Sequence, residues 1–166
     1  MERVGPPAAR SNEWPGYLAC VWGLAFAAIS FYWGSGGTLG LDTIGGSIES
    51  MGRAHDPIIL AAVWVTGFVK VLGAVLALAL VRPWGMRLPR SPLAVLGWGA
   101  AVVLTTYGGV LVITEALVAS GLLSLAEPVT WKPLLWHLYV WDMSFLIWGL
   151  LFGLAAWQFT RTIRGR

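Results

Sequence analysis

The stretch W-K-P-L-L-W-H-L-Y-V-W-D-M-S-F-L-I-W-G, Trp131 to Gly149, sets His137 and Asp142 inside an otherwise apolar run punctuated by tryptophans. Apolar character continues to Phe159, which makes the segment long enough to cross the roughly 30 Å hydrocarbon core of a bilayer as a helix. Three further segments of the same kind precede it: Tyr17 to Trp33, Pro57 to Leu80 and Pro92 to Val118. The expected fold is therefore all-α, a bundle of four transmembrane helices.

Composition points the same way. Of the 166 residues, 57% are hydrophobic and only 11% charged, well under half the charge of an ordinary soluble domain. The net charge of +3 comes from short basic stretches between segments and draws no basic face, so a nucleic-acid partner is not expected. The lone cysteine, Cys20, excludes an intramolecular disulfide. Although Ala25-Phe26-Ala27 looks like a leader-peptide cleavage site, bulky Ile29, Phe31, Tyr32 and Trp33 follow where such a region turns polar. The first segment is thus expected to stay as a helix.

Three units are expected: a disordered cytoplasmic arm over 1–14, the membrane domain over 15–160, and a basic cytoplasmic tail over 161–166. Asp56 before Pro57 and Ser91 before Pro92 read as helix N-caps, and Thr130 before Pro133 as a looser one. Orientation follows from the basic residues. Arg3, Arg10, Arg82, Arg87, Arg90, Arg161, Arg164 and Arg166 share one side, against Arg53 and Lys132 on the other. The positive-inside rule then puts both termini in the cytoplasm, which means the inner membrane of a bacterium.

The glycine-rich loop from Gly34 to Asp56 falls on the extracytoplasmic side. Within it Ile44, Ile48 and Met51 recur at helical spacing, with Asp42 placed to cap, which reads as a short amphipathic helix on the membrane surface. The functional alternative is a lid, carried by Asp42, Glu49 and His55.

Each long segment also carries small residues at three- and four-residue spacing. They are Gly16, Cys20, Gly23, Ala27, Ser30 and Gly34 in the first, and Gly67, Ala74 and Ala77 in the second. The third has Gly97, Ala101, Thr105 and Gly108, and the fourth Gly149, Gly153 and Ala156. Membrane helices approach along such stripes, because lipid gives no hydrophobic drive and close backbone packing must hold them. Lys70, Glu115 and Asp142 lie on the stripes and are expected to face the bundle interior, where an intramembrane charge avoids lipid. Counting about 1.5 Å per residue puts Lys70 and Asp142 at the most similar depths, with Glu115 and His137 nearer the outer surface. A Lys70–Asp142 ion pair is expected from this, and a regular helix sets His137 on a different face from Asp142.

Two readings of these groups stay open. One is an ion pair that pins the second helix to the fourth; the other is an outward-facing polar site of Lys70, Asp142, Glu115 and His137.

The W-H-L-Y-V-W-D stretch resembles a family of small bacterial four-helix integral membrane proteins classed only as a domain of unknown function. So do Ser30-Phe-Tyr-Trp-Gly34, Gly40-Leu-Asp-Thr-Ile-Gly-Gly-Ser-Ile-Glu49, Val65-Thr-Gly-Phe-Val-Lys-Val-Leu-Gly73 and Arg82-Pro-Trp-Gly85. The resemblance spans about residues 17 to 158 and implies an integral membrane protein without implying an activity.

The leading expectation is a non-catalytic membrane protein that binds a small molecule or lipid in the polar site, or assists a membrane partner. The alternative is an enzyme acting on a lipid or quinone-like substrate, with His137 or Glu115 as general base and Lys70 as electrostatic stabiliser. A haem protein using His55 and His137 is a third reading. Two histidines and one remote cysteine show no metal-ligand spacing, so neither a metal nor a cofactor is expected.

Overall fold

The computed structural model of the chain describes residues 13–124 and 128–164. Residues 1–12 of the expected arm, with Arg3 and Arg10, lie outside the described residues, as does Arg166.

Helix α1 spans Trp14–Gly34 and a short α2 spans Gly46–Arg53, preceded by a 3-10 turn at Leu41–Thr43. Helix α3 follows at Pro57–Val81 and α4 at Arg90–Ala119. The last span is composite. A six-residue α5, Trp131–Trp136, runs through a π-helical turn at His137–Trp141 into α6, Asp142–Arg164. No strand occurs among the described residues. Four helices are long and apolar enough to cross a membrane, with the α5–π–α6 unit counted as one. Helix α1 starts three residues before the expected Tyr17, and α6 continues into the expected basic tail.

Local chemistry sets the starts. Asp56 Oδ1 accepts from the backbone N–H groups of Ile58 and Ile59 at 2.9 and 3.2 Å, satisfying two otherwise unpaired donors at the head of α3. The other two expected caps do not form. Helix α4 begins at Arg90 behind Pro89, which leaves Ser91 inside the first turn, and Thr130 makes no side-chain cap bond. Asp42 does not cap α2 either: Gly45 stands at that N-cap, with a φ of 73° that favours glycine.

The small-residue stripes are the packing faces. Gly16, Gly23, Ala27, Ser30 and Gly34 of α1 are buried, as are Gly67, Ala74 and Ala77 of α3, Gly97, Ala101 and Gly108 of α4, and Gly149 and Ala156 of α6. Helix α1 packs chiefly on α3 and α4 on α6, and α1–α6 and α3–α4 contacts close the bundle. Helices α4 and α6 meet backbone to backbone. A Cβ on Gly108 would stand 2.7 Å from the Asp142 carbonyl oxygen and closer still to the Leu146 nitrogen; one on Gly149 would meet the Thr105 backbone. Val65, Val69 and Leu72 on α3 and Val95, Val102 and Ile113 on α4 point outward and exposed, an apolar exterior suited to lipid.

The buried core fills the half of the bundle nearer the α3–α4 turn: Ala19, Ala77, Leu80, Leu93, Ala101, Trp148, Phe152, Ala156 and Phe159. Trp148 Nε1 donates to the Ala19 carbonyl at 2.9 Å, tying α6 to α1 and making this tryptophan a packing residue. In the opposite half the helices leave a cavity, and the segment from Leu41 to Arg53 lies across it.

Candidate functional site

The cavity measures about 220 Å³ and is walled by Phe26, Ile29, Ser30 and Trp33 from α1, and Val63, Thr66 and Lys70 from α3. Tyr107 of α4, with His137, Trp141, Asp142 and Phe145 of the last span, forms the far wall, and Leu41, Ile44 and Ile48 close the end. Aromatic rings dominate: Phe26 lies 5.4 Å from Phe145 and 6.0 Å from Trp141, and Trp33 lies 5.3 Å from Trp141, centroid to centroid.

Lys70 reaches this space from mid-α3. Its Nζ donates to the buried Ser30 hydroxyl at 2.6 Å and lies 5.1 Å from the centre of the Phe26 ring, a cation–π contact. The expected Lys70–Asp142 ion pair does not form. No carboxylate lies within salt-bridge distance of Lys70 among the described residues, and Asp142 pairs with His137 instead.

The π turn explains that change of partner. In a regular α-helix residues five apart diverge by about 140° around the axis. A π turn, closing i to i+5, winds more slowly and brings such residues onto one face. His137 and Asp142 are five apart, and His137 Nδ1 sits 2.8 Å from Asp142 Oδ2. His137 therefore belongs with Asp142, contrary to the separate faces expected of a uniform helix. Glu115, arriving from the far end of α4, puts Oε1 3.8 Å from the same nitrogen. Asp142 is 3% exposed, and the Glu115 and His137 side chains are 15% and 31% exposed, so a buried carboxylate meets two partly buried partners. One ligand-type atom from each lies within 4.8 Å of the other two, a metal-ligand grouping that the linear spacing of these residues did not reveal.

Three consecutive residues strap the covering segment to the last span. Asp42 pairs with Lys132, Trp141 Nε1 donates to Thr43 Oγ1 at 3.1 Å, and His137 Nε2 donates to the Ile44 carbonyl at 3.2 Å. Lys132 beside Asp42 holds that carboxyl below its usual pKa.

The expected lid residues thus divide. Asp42 is tied to α5, and Glu49 pairs with Arg53 one turn on at 2.9 Å. His55, at a left-handed φ of 54°, points Nε2 toward the Gly36 carbonyl at 3.1 Å. None of the three lines the cavity, whose cover is apolar. His137 lines the cavity and His55 does not, so the two histidines do not meet there as an axial pair for a haem.

The sequence model of the family described as "Protein of unknown function (DUF3995)" matches residues 23–152, and the chain belongs to that family. No curated protein and no solved structure matches. The matched region contains the cavity, Lys70 and the Glu115–His137–Asp142 cluster.

Proposed function

We propose that this member of the DUF3995 family is a multi-pass protein of the bacterial inner membrane that binds an amphipathic small molecule or lipid in the aromatic cavity. Its acceptor-bearing or anionic head would lie at Lys70. The observation that carries this reading is an ammonium group inside an aromatic chamber without a carboxylate partner among the described residues. A charge withdrawn from water is stable when something of opposite sign joins it, and one hydroxyl and one ring face offset only part of that loss. An anionic or strongly accepting head supplies the rest, and Phe26, Trp33, Trp141 and Phe145 offer flat apolar surface to the body of the molecule.

Eight of the ten Lys and Arg residues outside the spans lie toward one side, which supports cytoplasmic termini and a cavity in the extracytoplasmic leaflet. The enzyme reading has weaker support. A general base needs a ring nitrogen turned toward substrate, whereas Nε2 of His137 is held by the Ile44 carbonyl and Nδ1 is turned to the Asp142 carboxylate.

The test is mass spectrometry of molecules that co-purify with the protein in mild detergent, comparing wild type with Lys70→Met and a Glu49→Gln control. Retention of one acidic or carbonyl-bearing amphiphile by wild type and control, with loss from Lys70→Met, supports the proposal. Identical cargo in all three, or wild type free of any such molecule, would sink it.

A further inference from the structure

We propose that Glu115, His137 and Asp142 form a binding site for one divalent first-row transition-metal cation. This goes beyond ligand binding at Lys70 and does not depend on it.

The argument starts at His137. A carbonyl oxygen only accepts, so the Nε2 that faces Ile44 carries the proton. In the neutral ring Nδ1 is then a bare lone pair, directed at an acceptor-only carboxylate oxygen 2.8 Å away. Two lone pairs at that separation repel unless something positive lies between them. The arrangement is also the one that metal-binding histidines adopt: one nitrogen free for the ion, the other held by a backbone carbonyl that fixes the ring and its tautomer.

Glu115 supplies an independent observation. Its Oε2 is sealed from solvent and receives no hydrogen bond from the described residues; its neighbour is the Asp142 carboxyl. Two acidic side chains therefore meet in a low-dielectric region with one imidazole to balance them. Protons placed on the cluster could balance it as well. A single divalent cation cancels both negative charges and joins all three groups at once.

Distances suit an ion. Bonds of 2.0–2.2 Å to a tetrahedral centre set ligand atoms about 3.4 Å apart. The separations of 2.8 and 3.8 Å from Nδ1 to the two carboxylates straddle that value, and the ligand atoms of all three groups lie within 4.8 Å of one another. Imidazole with two carboxylates suits zinc, iron(II) or manganese(II) and lacks the sulfur that selects softer ions. Access is present too: a second, more open cavity of about 440 Å³ on the α4–α5 side is lined by Glu115, Thr130, His137 and Asp142. His137 and Asp142 also line the aromatic cavity, so the cluster stands in the partition between the two spaces. Three protein ligands would leave a coordination position open to either side.

The experiment uses the tag-free full chain in detergent, stripped with chelator and equilibrated with Zn(II) or, separately, Mn(II). Bound metal is measured by mass spectrometry after gel filtration, and affinity by calorimetry. We expect about one ion of at least one of the two metals per chain, with affinity for it reduced at least tenfold by Glu115→Gln and by Asp142→Asn, and unchanged by Glu49→Gln. Glu115→Gln is the decisive variant, because the amide keeps the size of the side chain and removes its charge, and a thermal melt verifies that the fold persists. X-ray absorption of the metal-loaded chain should show one imidazole and oxygen ligands. Less than about a tenth of an ion of either metal per chain, which is the result for a cluster balanced by protons alone, overturns the proposal. So does undiminished affinity in a folded Glu115→Gln, or a metal shell without imidazole.

Discussion

Gly108→Ala tests whether backbone contact between α4 and α6 is what builds the cluster. The added methyl would stand 2.7 Å from the Asp142 carbonyl oxygen and 3.0 Å from Leu146 Cα, where ordinary contact begins near 3.4 Å. The obstacles are backbone atoms, so no side chain can rotate away and the helices must part by several tenths of an ångström or more. Overpacking of this kind costs about 1–3 kcal/mol. Gly99 sits on the same helix with nothing within 4 Å of an added Cβ. Alanine there gains helix propensity and falls between no change and about 1 kcal/mol of stabilisation. The two substitutions make the same chemical change on one helix, and only the neighbouring atoms differ. Unfolding in mixed micelles of increasing SDS fraction, followed by far-UV circular dichroism, gives both free energies. The reasoning predicts opposite signs, or at least a gap of about 1 kcal/mol between them. Equal effects, or a harmless Gly108→Ala beside a damaging Gly99→Ala, would refute the close α4–α6 contact.

Trp148→Phe keeps most of the ring volume but removes the donor to the Ala19 carbonyl, and should cost about 1–2 kcal/mol in the same titration. A change within a few tenths of zero would mean that the α1–α6 tie contributes nothing. The pH response of the Asp42–Lys132 pair has a defined sign. The Asp42 carboxyl titrates below its unfolded value of 3.8, so its contribution is fully present above that pH and is lost as the pH falls through the lower folded value. Between pH 6 and pH 3, thermal unfolding of wild type should therefore lose more stability than that of Asp42→Asn. Parallel losses would remove the pair from the account of how the covering segment is held.

Four spans, their packing faces and their approximate ends were legible in the sequence, because glycine and alanine spacing fixes where helices can touch whatever the partner. Burial of Gly23, Ala74, Gly108 and Gly149 follows from that rule alone. Of the four titratable groups expected in one polar site, Lys70, His137 and Asp142 line the aromatic cavity and Glu115 does not. Their pairing was not legible, for two physical reasons. A helical wheel assumes one winding throughout, and the π turn at His137–Trp141 breaks that assumption at the residues that matter most. Depth counting then matched Lys70 with Asp142 along the membrane normal while ignoring the nearer Ser30 hydroxyl, which small-residue spacing marked only as a contact point. The covering segment was recognised as a short helix. Its anchors could not be read, since each joins residues about ninety or more positions apart.

The bond from His137 to Ile44 makes one imidazole ring the joint between two parts of the molecule. Its Nδ1 edge meets the acidic cluster and its Nε2 edge holds the covering segment. Whatever tilts or recharges the ring on one edge changes the strength of its grip on the other. Thermodynamic reciprocity then applies: if occupancy of the cluster tightens the strap, displacing the strap must weaken that occupancy by the same factor. A change at the cluster thus has a direct route to the covering segment through a single side chain.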